Sequence, residues 1–443
     1  MCANDSSTRV RNRPIRLQEA CETELTTIRV LLLNQFYWPD VAATGQLLAD
    51  LAAALVDRGH DVDVVCSRGR YEGEESDLPR EEVHDGVRIH RVSATALGRR
   101  RMLHRVCDYA TFYATALQRC LSLPRVDVCV ALTTPPFVAS IGAAYKRIHR
   151  ASLILWAMDL YPDIAAAMGV LRPSSIEHRV LRRLAVWIYQ NADRIVSLGG
   201  DMTERLRRCG VPAHRIATVP NWSPGEAVRP CPDTQTPFRQ RHGINGHFVV
   251  MYSGNMGVVH EFGTILGAAQ RLRHREDVLF LFVGGGAQKQ YVMEETRRRG
   301  LDNVKFCPYQ PLSALSDSLG AADVHLISMK NNVEGLLVPS KLYGIMAAGR
   351  PALMVGPRNN EIARTLEVSR AGWVVPPGHP HRLAEQIERL LRRPDLVKAM
   401  GSRARRHYEL CCSRRRRTGE LVAAIEQTVA AARKARSESG VRR

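Results

Sequence analysis

The chain begins the same pattern twice, and that repetition limits its fold more than any other feature. Ile28-Arg-Val-Leu-Leu-Leu33 is a short apolar run of the kind a strand shows when both its faces are covered in a parallel sheet. A helix is predicted next, with Leu47, Leu48, Leu51 and Leu55 on one face, and Arg58-Gly-His60 closes it. Asp61-Val-Asp-Val-Val-Cys66 is the second strand. Phe248-Val-Val-Met-Tyr252 then restarts the series with its own glycine loop, helix and next strand, Val278–Val283. Repeated β-α-β units of this kind predict an α/β chain of doubly wound parallel sheets. The first unit lacks a full G-x-G-x-x-G, so a dinucleotide fold has weak support.

Further strands are predicted at 86–92, 126–132, 151–156, 192–198, 304–307, 324–328, 352–355 and 371–376, the last at an edge. A polar, proline-rich change of composition separates the halves. The predicted organisation is a disordered leader over 1–26, a first domain over 27–220 and a linker over 221–246. A second domain over 247–400 and a helical, basic end over 401–443 follow.

Ligands of open α/β sheets bind beyond the carboxyl ends of the strands. In the first domain that rim holds Asp40, Thr133-Thr-Pro-Pro136 and Asp159-Leu-Tyr-Pro162. Asp159 there suits a sugar hydroxyl or a general base, or equally the cap of the next helix. In the second domain the rim holds Ser253-Gly-Asn-Met-Gly257, Gly284-Gly-Gly286 with Lys289 beyond it, and Glu334 to Pro351. Ser340 is predicted to cap a helix whose first turn carries Lys341. Glycine loops and a helix start with a lysine suit a phosphate, although glycines also serve tight turns and close packing.

Sixty-three Lys and Arg against 44 Asp and Glu leave a formal charge of +19, which suits an anionic partner. A basic segment from Leu97 to Leu123, with Arg99, Arg100, Arg101 and Arg105, reads either as a helix on an anionic membrane or as a core helix with a solvated basic end. The arginine-rich tail (Arg414 to Arg417) leaves the same choice. Nucleic acid is disfavoured, because aromatics do not interleave the basic residues. The 11 cysteines form no C-x-x-C pair and no zinc spacing, which suggests a reduced, cytosolic chain without a metal. No signal peptide is visible, and the longest uncharged run, Val128 to Tyr145, is broken by Thr133-Thr-Pro-Pro136.

Taken in order, these stretches resemble the retaining GT-B glycosyltransferases of family 4, in the branch that builds colanic acid and other exopolysaccharides. The likeness rests on Asn34–Asp40 with Thr44-Gly45, Thr133–Pro136, Asp159–Pro162, Val219-Pro-Asn221, Tyr252–Gly257, Val283–Gly286 and Val338–Gly344 through Gly349-Arg-Pro351. The resemblance implies two Rossmann-like domains facing a cleft, with the acceptor on the first, the donor on the second and a final helix that crosses back. It implies a nucleotide-diphosphate sugar as donor, metal-independent transfer without a cofactor, and retention at the anomeric carbon. The implied acceptor is a polyprenyl-diphosphate-linked glycan, met by a cytoplasmic protein peripheral on the inner membrane face. Catalytic roles then fall on Asp159, Glu334 and Lys341. Donor contacts fall on Gly45, Gly254, Asn255, Met256, Gly257, Gly284, Gly285, Lys289, Pro339, Ser340, Lys341, Leu342 and Glu361, and acceptor contacts on Tyr37, Asp40, Thr134, Pro135 and Tyr161.

The chain departs from the family pattern at several positions. The family's two glutamates fall at Leu336 and Gly344, its arginine and lysine at Asn255 and His260, and its acceptor-side histidine at Met158. Two other readings are a GT-B nucleotide-sugar 2-epimerase and a non-catalytic basic protein that binds anionic lipid or nucleic acid.

Overall fold

The structure, a computed structural model, describes residues 27–40, 42–69, 78–95, 102–223, 228–231 and 236–440, with the side chains of 102, 103, 105, 106, 439 and 440 left aside. The predicted leader and Leu97 to Arg101 lie outside the described residues, as do parts of the predicted linker.

The first sheet contains β1 (Arg29–Leu33), β2 (Asp61–Ser67), β3 (Glu81–His84), β4 (Val87–Val92), β5 (Val128–Ala131), β6 (Ser152–Trp156), β7 (Arg194–Ser197) and β8 (Ile216–Thr218). Their order across the sheet is β3-β4-β2-β1-β5-β6-β7-β8. All neighbours run parallel except β3, which pairs antiparallel with β4. The second sheet contains β9 (Phe248–Ser253), β10 (Val278–Val283), β11 (Val304–Cys307), β12 (Val324–Ser328), β13 (Ala352–Val355) and β14 (Gly372–Val375). Its order is β11-β10-β9-β12-β13-β14, parallel throughout. In each sheet the order reverses beside the first strand, which opens a crevice at the carboxyl ends.

The apolar runs are strands because helices cover both sheet faces, leaving Leu31, Leu32, Val64, Val250 and Phe280 without solvent exposure. The sequence did not indicate β3. Glu81-Glu-Val-His84 is short, charged and at an edge, and its Val83 stands 70% exposed. The stretch read as a linker is partly docked: Phe238 and Ile244 join the core of the second sheet, and Arg239 pairs with Asp323 at 2.5 Å.

The last helix, Arg414–Gly440, returns across the first domain. Glu426 meets Arg58 and His60, and Arg433 meets Asp127. Asp50, on the first helix, accepts from Trp222 Nε1 at 2.7 Å and from Arg414 at 3.1 Å. One carboxylate therefore ties both passages of the chain between the domains.

Candidate active site

The glycines after β9 and β10 are required by how closely their loops approach. A Cβ on Gly284 would lie 2.4 Å from the Gly254 carbonyl, and one on Gly286 would lie 2.2 Å from Asn255 Oδ1. Gly254, Gly284 and Gly286 all have positive φ. The amides of Gly254, Met256 and Gly284 are spent on Val283, Gly285 and Cys307 carbonyls. The amides of Asn255, Gly257 and Gly285 have no partner among the described residues. Met256 is fully buried, so it anchors the loop and presents neither side chain nor amide to a ligand.

Lys341 reaches this loop from the helix Lys341–Ala347. Its Nζ lies 3.7 Å from the centre of the Tyr252 ring and donates to Tyr252 Oη and to the Asn255 carbonyl. Its edge still touches solvent, but protein surrounds the amine, and that lost hydration holds its pKa well below the usual lysine range. His260 cannot supply charge here. Burial first, and then Lys341, push it down to about 3, and its Nδ1 donates to the Ser328 carbonyl.

Two expectations for this stretch are corrected. Ser340 occupies the N-cap position with helical φ and ψ (−72°, −14°), and its hydroxyl caps nothing. A capping serine needs extended backbone for Oγ to reach the next amides. Leu342 is fully buried, because it lies on the core face of the helix, and so cannot touch a donor. Pro339 is also buried.

The first domain meets the same stretch through its backbone. Asp159 and Leu337 form an antiparallel bridge, and Leu160 N donates to the Leu336 carbonyl at 2.9 Å. Thr133 Oγ1 accepts from the amides of Met158 and Asp159 at 3.2 and 3.1 Å, which fixes that turn. Loss of hydration alone raises the Asp159 carboxyl to about 6. Thr133, Phe137, Asp159, Tyr161, Ile188 and Tyr189 line a cavity of about 20 Å³ under this rim, room for one water. Thr134 and Tyr161 are half-buried in the same loops, and Pro135 is buried. Tyr37 is 6% exposed, so its ring supports the rim from the core. Asp40 Oδ1 accepts from Ala42 N at 2.8 Å and so closes the entry to the first helix. Gly45 fits that helix against the Phe36 carbonyl, 3.2 Å from where its Cβ would be.

A cleft of about 600 Å³ opens beside this junction, lined by Asp201, Glu204, Arg205, Arg208, Glu334 and Arg364. Loss of hydration first, then Asp201, raise the Glu334 carboxyl, while Arg205 Nε donates to the Glu334 carbonyl at 2.7 Å. Glu361 is used between domains. It accepts from the amide of Gly200 at 3.3 Å, while Asp201 accepts from the amide of Glu361 at 2.9 Å. Each helix start is thus capped from the other domain, and Arg364 bridges both acids.

Lys289 is half-buried at the start of its helix, just past Gly286. Sequence reasoning passed over Tyr252, which positions Lys341, and Tyr309, whose ring lies against Gly284 and Gly285 while 45% exposed. The available signal for Tyr309 was its place just after β11, on the same rim. Among the described residues, no group of three or more His, Cys, Asp or Glu could hold a metal ion.

Two family models match in chain order: a glycosyl transferase 4-like domain over 43–222 and glycosyl transferases group 1 over 234–407. The chain is 30% identical over 266 residues to the probable glycosyltransferase WbjE of Pseudomonas aeruginosa, covering 60% of this chain and 66% of that one. It is 23% identical over 353 residues to the putative colanic acid biosynthesis glycosyl transferase WcaI of Escherichia coli, covering 77% and 86%. The crystal structure of Anabaena HepE in complex with UDP and glucose superposes with a TM-score of 0.69 at 17% identity, over 90% of this chain and 100% of that one. The two parallel α/β sheets and the two matched models together place this chain among the GT-B glycosyltransferases of family 4, as a transferase similar to WcaI.

Proposed function

We propose that the protein is a retaining glycosyltransferase using a nucleoside-diphosphate sugar. The proposed acceptor is a polyprenyl-diphosphate-linked glycan at the inner face of the plasma membrane, in exopolysaccharide or other cell-surface polysaccharide assembly. The observation that carries this reading is the seat of Lys341, against the glycine loops and seven residues from Glu334, on the stretch bridged to Asp159. The names of WcaI and WbjE, and the UDP and glucose held by HepE, support it.

In the proposed reaction the acceptor oxygen bonds to the anomeric carbon as the bond from that carbon to the diphosphate oxygen breaks. The electron pair leaves with the nucleoside diphosphate. Lys341 and the open amides of Asn255, Gly257 and Gly285 stabilise that developing charge. Asp159 takes the acceptor hydroxyl proton. No metal or cofactor is assigned to the reaction.

The test is incubation with UDP-, GDP- and ADP-sugars and a short-chain polyprenyl-diphosphate sugar. Mass spectrometry reads the product, NMR reads the new anomeric linkage, and thermal shifts with the free nucleotides name the base. Acceptor-dependent product with the donor's anomeric configuration is expected. Donor isomerised without an acceptor would favour the epimerase reading, and no nucleotide binding at all would sink the proposal.

A further inference from the structure

The helix Ile176–Asn191 divides its faces sharply. Its inner face carries Ala185, Ile188 and Tyr189, which line the cavity beneath Asp159, and Tyr189 Oη donates to the Tyr161 carbonyl at 3.4 Å. Its outer face carries Ile176, Val180 and Trp187, which are 68%, 56% and 46% exposed. Arg183 shares that stripe at helical spacing, and Arg179 flanks it. Both arginines are exposed, and neither has an ion pair among the described residues. Elsewhere among the described residues the exposed large apolar side chains do not form a comparable stripe along one helix.

We infer that this outer face is the surface by which the protein lies on an anionic lipid bilayer. Apolar side chains of this size are normally covered. Three of them on one convex helix are too few for a stable protein interface, which needs about 800 Å² per partner around a well-packed apolar core. A second copy docked by its own stripe would bring arginine against arginine. A nucleic acid would satisfy the arginines and leave the isoleucine and valine in water. An anionic headgroup layer satisfies both sets: guanidinium groups reach the phosphates while Trp187, Ile176 and Val180 enter the acyl boundary. The acceptor rim then lies about one helix diameter, roughly 10 Å, from the membrane surface. This placement rests on the proposed lipid-linked acceptor, because it sets the diphosphate of such an acceptor beside Asp159.

The test is co-flotation of the full chain with phosphatidylcholine vesicles, with and without phosphatidylglycerol. Wild type is expected to bind only the anionic vesicles. The Ile176→Ser, Val180→Ser, Trp187→Ser triple variant should lose roughly ten-fold or more in partitioning. The Arg179→Gln, Arg183→Gln pair should lose roughly 25-fold at low salt. Brominated lipid should quench wild-type tryptophan fluorescence, and Trp187→Phe should remove that quenching, because Trp156 and Trp222 are buried and the half-buried Trp38 and Trp373 lie off this helix. Unchanged melting temperatures check that the variants fold.

The inference is overturned if the triple variant binds like wild type, or if replacing Arg99 to Arg101 alone abolishes binding. It is also overturned if wild type ignores anionic vesicles, or if the stripe is instead buried in a dimer that light scattering detects. Transfer to a water-soluble acceptor separates this inference from the functional reading. The triple variant should keep that activity. If wild type shows no transfer yet binds vesicles through the stripe, the transferase proposal fails and this one stands.

Discussion

Asp159→Asn should make the protein more stable and less active at once. Burial raises this carboxyl from 3.8 to about 6, with no partner charge offsetting the lost hydration. Each tenfold change in proton affinity is worth about 1.4 kcal/mol, so the charged form costs the folded state up to about 3 kcal/mol at neutral pH, and less for the solvent that Asp159 still touches. The sign follows from proton counting. Between pH 3.8 and about 6 the folded chain holds a proton the unfolded chain has lost. Wild-type stability therefore falls as pH rises through that window, and the deficit persists above it. The amide variant escapes the cost. At pH 8 it should melt several degrees higher, at about 2–4 °C per kcal/mol for domains of this size. Toward pH 4 its advantage should vanish. If Asp159 takes the acceptor proton, the variant should also lose about 10²- to 10⁴-fold in turnover, and kcat/KM should lose its acid limb near pH 6. The assays are thermal unfolding across pH 4–8 and a pH–rate profile with donor and acceptor. A variant less stable than wild type at pH 8, or an advantage independent of pH, would refute the burial argument. Unchanged turnover would refute the proton-acceptor role alone.

Lys341→Ala should lower turnover about 10²- to 10³-fold with a native circular dichroism spectrum, the usual loss for one group stabilising developing charge. Because burial depresses the Lys341 pKa, nucleoside-diphosphate binding should raise it again and so take up protons in wild type that the variant does not, as calorimetry in two buffers across a pH series would read. Gly286→Ala places a Cβ 2.2 Å from Asn255 Oδ1 and 2.7 Å from Met256 N at φ +128°, so it should abolish the thermal shift with nucleotide and destabilise the chain by about 2 kcal/mol or more. Asp201→Asn with Glu361→Gln weakens both cross-domain caps, worth about 1 kcal/mol each. Small-angle scattering should show a larger radius of gyration and kinetics a lower kcat with nucleotide affinity kept, and an unchanged radius would show that the caps do not hold the domains together.

The sheets were legible because strands covered on both faces must be apolar along their length. Val278–Val283, Val304–Cys307, Val324–Ser328 and Ala352–Val355 are strands at the predicted bounds. Glu81–His84 escaped because an exposed edge strand is free of that demand. That the two glycine loops and Lys341 share one rim was legible too, since residues just past the carboxyl ends of parallel strands gather there. Which side of each residue faces the ligand was not. Leu342 follows Lys341 directly and points into the core, and Met256 sits amid open amides with its own amide spent. Such distinctions depend on partners far along the chain: Lys341 is set by Tyr252, 89 residues away, and Glu361 by Gly200, 161 away.

The same non-local dependence bears on how the enzyme works. Asp159 and Lys341 belong to different sheets, and what brings their loops together is the bridge between Asp159 and Leu337, the bond from Leu160 to Leu336 and the paired caps of Asp201 and Glu361. These contacts are hydrogen bonds, set beside the buried side chains of Leu160, Val333 and Leu336. Domain opening would break the bonds and expose those three side chains while each sheet keeps its own strand pairing. Parting the domains would move Asp159 away from the stretch that carries Lys341, and would rehydrate groups whose pKa values depend on being dry. The arrangement proposed to carry charge and proton therefore exists only while the cleft is closed, and turnover should follow how often it closes as closely as it follows any single side chain.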